Sequence, residues 1–400
     1  MKKLGYGLAA LVAAGALGWW AIGPDWRGLI SNMPSDNNVL FWTTDQRDAG
    51  FRMLDRVSFL IEARDIPAGE QIRPLPEGEP LDLGFNLDVL MESQRIAGLV
   101  VLQGGEIRLE RYGLDFDREG RWTSFSVAKS VTSTLVGAAV KDGFINSLDD
   151  SVSTYVKGLA GSAYDDVTIR ELLTMTSGVA WNEDYEDPGS DVALFSQHVS
   201  DDPDVANLVS YMRTLPRAHP PGQQWNYSTG ETNLIGILVA EATGKTVSDY
   251  LSEKIWAPYG MEQKATWLIG PDGREISGCC IQAATRDFAR FGQFILDGAV
   301  VGGERVVPDD WLAAATAWQA DIGSPVDGYG YQWWTYEGAA FGARGIFGQA
   351  IFIDPERDLV IASNGNWTTA MGFQDGENPA RTEFHRAVQR ALDAEAGRAG

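Results

Sequence analysis

Ser126-Val127-Ala128-Lys129 places a hydroxyl and an amine one helical turn apart, and of the eight lysines in the chain only Lys129 has a serine three residues before it. Between Val127 and Val140 Lys129 is the sole ionisable residue in a run of small and apolar side chains. Ser126, Lys129, Ser130, Ser133 and Gly137 share one helix face by their i, i+3, i+4 spacing, so the pattern predicts a buried lysine on a helix that starts at Ser126. Burial disfavours the ammonium form, lowers the lysine pKa and lets the neutral amine take a proton from a hydroxyl one turn away. In the first turn, Ser126 also has an unpaired backbone N–H and the positive end of the helix beneath it. These are the means of a serine nucleophile in acyl transfer. The bare tetrapeptide occurs by chance in most chains of this length; its weight comes from the helix start and the lone internal charge.

A second stretch, Pro221-Gly222 through Tyr227-Ser228-Thr229, is a loop that enters an apolar helix and presents one tyrosine. A phenol between a serine hydroxyl and a lysine amine can relay protons to activate the nucleophile and then protonate a leaving group. The same ring could instead pack beside Trp225.

The elements that must hold these groups are legible around them. Ile96 to Gln103 and Glu106 to Tyr112 read as two strands across the Gly104-Gly105 turn, and Gly348 to Asp354 with Leu359 to Ser363 as another hairpin, followed by a helix from about Ala380 to Glu395. Residues 150 to about 320 read as mainly helical segments and loops, and Phe41 to Ile61 as partly helical. Strands, then inserted helices, then strands again predict one α+β unit whose antiparallel sheet is completed by the C-terminus. Four prolines, Pro67, Pro74, Pro76 and Pro80, mark a linker or wrapping arm before it. The expected organisation is a leader over 1–26, an extension over 27–85 and a hydrolase domain over 86–400.

Composition narrows the chemistry. At 44% hydrophobic and 22% charged the chain is an ordinary globular protein, and its net charge of −23 argues against nucleic-acid or anionic-lipid partners. His198, His219 and His385 share no ligand spacing, and the calcium-loop imitation at Asp115 to Gly120 meets Ser126 where a bidentate Glu belongs, so no metal is expected. The neighbours Cys279 and Cys280 are expected to be buried small apolar residues without a redox role. Lys2 and Lys3 precede the uncharged stretch Leu4 to Ile22, which ends near Trp19-Trp20. This is an export segment, either a cleaved signal peptide or an uncleaved membrane anchor, and it predicts a periplasmic or other extracytoplasmic location.

Taken in order, these motifs resemble the serine β-lactamase, penicillin-binding protein and carboxylesterase family, in its class C-like branch that includes the 6-aminohexanoate-dimer hydrolases. The resemblance covers about residues 85 to 395. It rests on Ser126 to Lys129, Val167 to Gly178, Pro221-Gly222 into Tyr227, Ala284 to Gly292, Tyr329 to Trp334, and Gly345-Ile346-Phe347-Gly348-Gln349 before Asp354-Pro355. It implies a β-lactamase/transpeptidase-like α+β fold, an antiparallel sheet flanked by helices with a mainly helical inserted lobe. It also implies Ser126 as nucleophile, Lys129 as general base, Tyr227 as proton relay, an oxyanion hole from the backbone N–H groups of Ser126 and Ile346, and no cofactor. Tyr185 resembles a tyrosine on a substrate-covering loop of that branch.

Two departures stand out: Tyr227-Ser228-Thr229 replaces Tyr-x-Asn, and Ala343-Arg344-Gly345 replaces the Lys-Thr-Gly or His-x-Gly strand. With no lysine at 343 to meet a β-lactam or D-Ala carboxylate, the substrate expected is a small ester or linear amide. Strand alternation aims Arg344 away from the side Ala343 faces, unless a bulge returns it. The rival readings are a β-lactamase or D-Ala carboxypeptidase, and a silent cell-wall binding module of the same fold.

Overall fold

The computed structural model describes residues 13–36, 38–57 and 61–397. The first part of the expected export segment, Leu4 to Val12, lies outside them. Residues 13–21 are helical and exposed, and among the described residues no helix is long and apolar enough to cross a membrane.

Eight strands form an antiparallel sheet whose order runs from Glu106–Tyr112 through Ile96–Gln103, Leu359–Gly365, Gln349–Asp354, Phe341–Gly345, Trp334–Thr335 and Gly328–Tyr329 to Ala320–Asp321. Both hairpins lie where the alternation puts them, with Gln103 opposite Glu106 and Asp354 opposite Leu359. The C-terminal strands pair with the N-terminal hairpin through Val360 opposite Leu102, which closes one sheet from the two ends of the chain. The central strands are unbroken apolar runs because both of their faces are covered. Val100, Leu102, Val360 and Ala362 join the cluster around the helix Val127–Lys141, whereas Leu99, Val101, Leu359 and Ile361 join Phe384, Val388 and Leu392 of the helix Glu377–Glu395. The fold is the β-lactamase/transpeptidase-like α+β arrangement.

A second sheet, of four strands in the order Glu62–Ile66, Ala265–Ile269, Ile281–Ala283 and Trp122–Thr123, was not visible in the sequence. Its middle strands interrupt a region read as helices and loops. Ala265-Thr-Trp-Leu-Ile269 is buried along nearly its whole length, so it lacks the alternation that reveals a half-exposed strand.

The helix Val127–Lys141 is buried all round, from Val127 through Ala139, and not along one face as its spacing suggested. A helix without a wet side must be small and apolar, and each of its hydroxyls must find a partner. Ser130 and Ser133 donate to the carbonyls of Gln332 and Tyr331 at 2.6 and 2.7 Å, and Thr132 donates to that of Ser277 at 2.9 Å. Gly137 lies against Trp311, whose ring is 2.6 Å from where a Cβ would stand, so any larger side chain there would push the ring aside.

Candidate active site

The short strand Trp122–Thr123 turns directly into the helix through Phe125, whose φ of +41° is a strained conformation for an aromatic residue. Ser124 pins the turn: its N–H donates to Ile281 at 2.8 Å, and its hydroxyl accepts from the Ile281 N–H at 2.9 Å. Ser126 is thereby presented as the N-cap residue, and its side chain caps nothing in its own helix. It lies instead within range of the Tyr227 hydroxyl, whose pKa it pulls down against the larger effect of burial.

Lys129 is 1% exposed, and its Nζ donates to Thr229 Oγ1 at 2.9 Å and lies 5.0 Å from the centroid of the Tyr227 ring. Burial lowers its pKa from 10.5 to about 8, against an opposing pull from the Glu183 carboxylate. Tyr227 stacks on Trp334 at 5.8 Å and meets Trp225 and Tyr329 edge-on or tilted. Of the two roles open to it in the sequence the ring takes the packing one, and Ser126 is among the groups that act on its hydroxyl. Burial first, and Glu183 second, hold that hydroxyl above its ordinary pKa.

Two residues of this network carry no sequence signal of their own. Thr229 stands in the departure from Tyr-x-Asn and supplies the oxygen that Lys129 meets. Glu183 accepts from the Thr229 N–H at 2.9 Å, from the Thr229 hydroxyl, from the Trp181 indole, and from the Tyr185 hydroxyl at 2.8 Å. In the segment Trp181 to Tyr185 the sequence marks only the tyrosine, because a loop carboxylate has no periodicity to give it away.

Two cavities meet at Ser126, with Tyr185 and Ile346 also lining both. The first has a volume of about 480 Å³ and apolar walls from Leu40, Leu54, Phe125 and Leu268. The second, of about 540 Å³, is lined by Tyr227, Trp225, Trp334, Arg344, Gly345 and Arg381. The strand Phe341–Gly345 runs so close to the helix start that a Cβ on Gly345 would stand 3.0 Å from the Ser126 nitrogen. Glycine there leaves the Ser126 N–H open, next to Ile346.

Alternation on this strand holds, and the core decides which of its sides faces the site. Ala343 is packed in the main core opposite Ile351 and lines neither cavity, while Arg344 lines the second. Its guanidinium carbon lies 5.0 Å from the Trp334 ring and 4.6 Å from the Tyr336 ring, and its Nε donates to Tyr336 Oη at 2.8 Å. The Arg381 guanidinium stands over Trp367, and burial, then Arg344, lowers its pKa to about 9. The missing lysine at 343 therefore does not leave the site without cations.

Cys279 and Cys280 also depart from expectation. They are joined to each other as a vicinal disulfide with Cα atoms 3.7 Å apart, and both line the first cavity. Adjacency rules out a long-range framework but not this bond, and Cys280 adopts a φ of +77° within it.

A serine hydroxyl near a phenol, one helical turn from a lysine partly neutral near pH 8 and at the junction of two cavities, can attack an acyl carbon and pass its proton on. The sequence profile of the β-lactamase family matches residues 86–385. A 6-aminohexanoate-dimer hydrolase of Paenarthrobacter ureafaciens is 30% identical over 329 residues, which cover 77% of this chain and 82% of that protein. Among solved structures, a Bacillus anthracis protein named after the same hydrolase superposes with a TM-score of 0.77 at 22% identity, covering 91% of this chain and 99% of that one. A family VIII carboxylesterase superposes at 0.59 and 17% identity, over 79% of this chain and 99% of its own. The match over three quarters of the chain, which takes in the helix that begins at Ser126, establishes that this protein belongs to the β-lactamase family of serine hydrolases.

Proposed function

We propose that the protein is an exported serine hydrolase that cleaves carboxylic esters or linear amides through an acyl-enzyme on Ser126. The observation that carries this reading is a desolvated Lys129, its amine 2.9 Å from Thr229 Oγ1 and 5.0 Å from the Tyr227 ring centroid, one helical turn from Ser126 at the junction of two cavities. Neutral Lys129, acting with Tyr227, takes the Ser126 proton as Oγ attacks the acyl carbon. The backbone N–H groups of Ser126 and Ile346 hold the tetrahedral oxyanion. Collapse breaks the ester C–O or amide C–N bond as Tyr227 protonates the departing oxygen or nitrogen. Water, deprotonated by the same pair, then releases the acid and restores Ser126. The relatives named for hydrolysis of a linear amide dimer and for carboxylesterase activity support this substrate class. The export segment and the Cys279–Cys280 disulfide support an oxidising compartment outside the cytoplasm.

The test is labelling of the purified protein with a serine-directed fluorophosphonate, run beside a panel of small esters and amides. Wild type should be labelled and turn over, and Ser126→Ala should do neither while remaining folded. Full esterase activity in Ser126→Ala would end the assignment. Arg344 and Arg381 favour one second reading, a penicillin-recognising enzyme, because a guanidinium can pair with a carboxylate in the second cavity.

A further inference from the structure

The two cavities at Ser126 differ in chemistry, and the position of Tyr227 tells them apart. Tyr227 lines the second cavity and not the first. In the proposed reaction the leaving atom must lie within reach of the group that protonates it, so the leaving group occupies the second cavity. An acyl carbon bound to Ser126 Oγ, with its oxygen toward the N–H groups of Ser126 and Ile346, then has one direction left for its substituent. That direction is the first cavity.

We infer that the first cavity is the acyl pocket and that it selects an unbranched apolar acyl chain well beyond acetyl. This rests on the serine hydrolase reading above. A volume of about 480 Å³ is far more than an acetyl group fills and lies within the range of roughly 300–1,000 Å³ typical of ligand pockets. Its walls near Ser126 are Leu40, Leu54, Phe125, Leu268 and Ile346, closed on one side by the Cys279–Cys280 disulfide, which presents sulfur and carbon and no charge. Most of the charged residues at its margin are engaged, and Glu62 stands at the exposed rim with no ion pair among the described residues. Glu275 pairs with Arg64 at 2.7 Å, Arg274 with Glu241 at 3.2 Å, and Asp272 accepts from the Asn207 N–H at 3.0 Å. A methylene chain therefore finds apolar contact along the wall near Ser126, with the one unpaired carboxylate, Glu62, out at the rim. Val39, Leu40 and Leu54 come from the segment before residue 86, so chain-length selectivity is set by the N-terminal arm while the chemistry is set by the family domain.

The experiment is a series of p-nitrophenyl esters from acetate through butyrate and hexanoate to octanoate, which holds the leaving group constant and varies only the acyl chain. kcat/KM should rise by about fourfold per added methylene, the factor that burying one confers, until the pocket is filled. Leu40→Trp, which fills the wall, should lower the octanoate-to-acetate ratio of kcat/KM at least tenfold. A circular dichroism spectrum and melting temperature of Leu40→Trp that match wild type certify that the variant is folded. Esters cleaved with no dependence on chain length, or a Leu40→Trp variant with an unchanged ratio, would overturn the acyl-pocket assignment alone. Absence of both ester cleavage and Ser126 labelling would overturn the hydrolase reading beneath it.

Discussion

Glu183→Gln tests how the site sets the protonation of Lys129. Burial holds that amine at about 8, and the Glu183 carboxylate opposes the fall. Thr229 Oγ1 stands between them, 2.9 Å from Lys129 Nζ and hydrogen-bonded to Glu183 Oε1. Unit charges two hydrogen bonds apart, on the order of 5 Å, attract by about 3 kcal/mol at an effective dielectric of ~20. Glu183 is only partly buried, and solvent screening cuts this to about one pKa unit. Removing the charge lowers the Lys129 pKa further. With the neutral amine as the proposed base, kcat/KM for an uncharged ester should rise with pH through that pKa, with a wild-type limb near pH 8. In Glu183→Gln the limb should move toward pH 7, whatever happens to the plateau. The assay is pH-stat titration of the acid released, from about pH 5.5 to 9.5. A limb that stays in place or moves upward would refute the account of Lys129 as a base tuned by burial against Glu183.

Three further outcomes follow from the same site. Lys129→Met should abolish turnover and raise the melting temperature at pH 7: between pH 8 and 10.5 the unfolded chain holds a proton the folded one has lost, so stability rises with pH there, and below pH 8 the buried ammonium costs on the order of 3 kcal/mol. Thermal unfolding at pH 7 and again near pH 10.5 checks this, since the advantage of the variant should shrink at the higher value. Gly345→Ala should lower kcat about a hundredfold or more with ester substrates, because its methyl would stand 3.0 Å from the Ser126 nitrogen proposed as an oxyanion donor; a near-normal kcat would place the hole elsewhere. A fluorescent penicillin should label Ser126 only if Arg344 meets its carboxylate, in which case Arg344→Gln should reduce labelling about ten- to a hundredfold, and labelling indifferent to Arg344 would remove that pairing from the site.

The sequence was informative where one physical rule dominated a segment. The hairpin Ile96–Gln103 and Glu106–Tyr112 was legible because two glycines force the turn, and the start of the helix at Ser126 because an apolar run rarely admits a lone charge without a use for it. It was silent where partners come from far along the chain. Glu183 reaches the site through Thr229, 46 residues away. The strand Glu62–Ile66 takes its place only by pairing with Ala265–Ile269. Parity on the strand Phe341–Gly345 is plain from the sequence, but which side faces the site depends on the core beneath Ala343, and no local pattern reports that.

The arm before residue 86 does more than wall a cavity. Arg47 donates to Asn366 Oδ1 at 2.7 Å and to the carbonyls of Trp42, Trp367 and Thr368 at 2.8 to 3.0 Å, and its guanidinium carbon lies 4.3 Å from the Phe347 ring centroid. Phe347 follows Ile346 and is held at a φ of +58°, so the arm grips the turn that carries one of the two proposed oxyanion donors. At the other end, the helix Glu377–Glu395 continues past residue 385, and its Glu395 pairs with Arg108 of the edge strand at 2.7 Å. The stretch matched by the family profile thus leaves out contacts that hold the turn after Ile346 and the edge strand. A chain cut to residues 86–385 would keep Ser126, Lys129 and Tyr227 yet lose the clasp on the turn beside them, so the span of the profile is shorter than the span that holds the site in place.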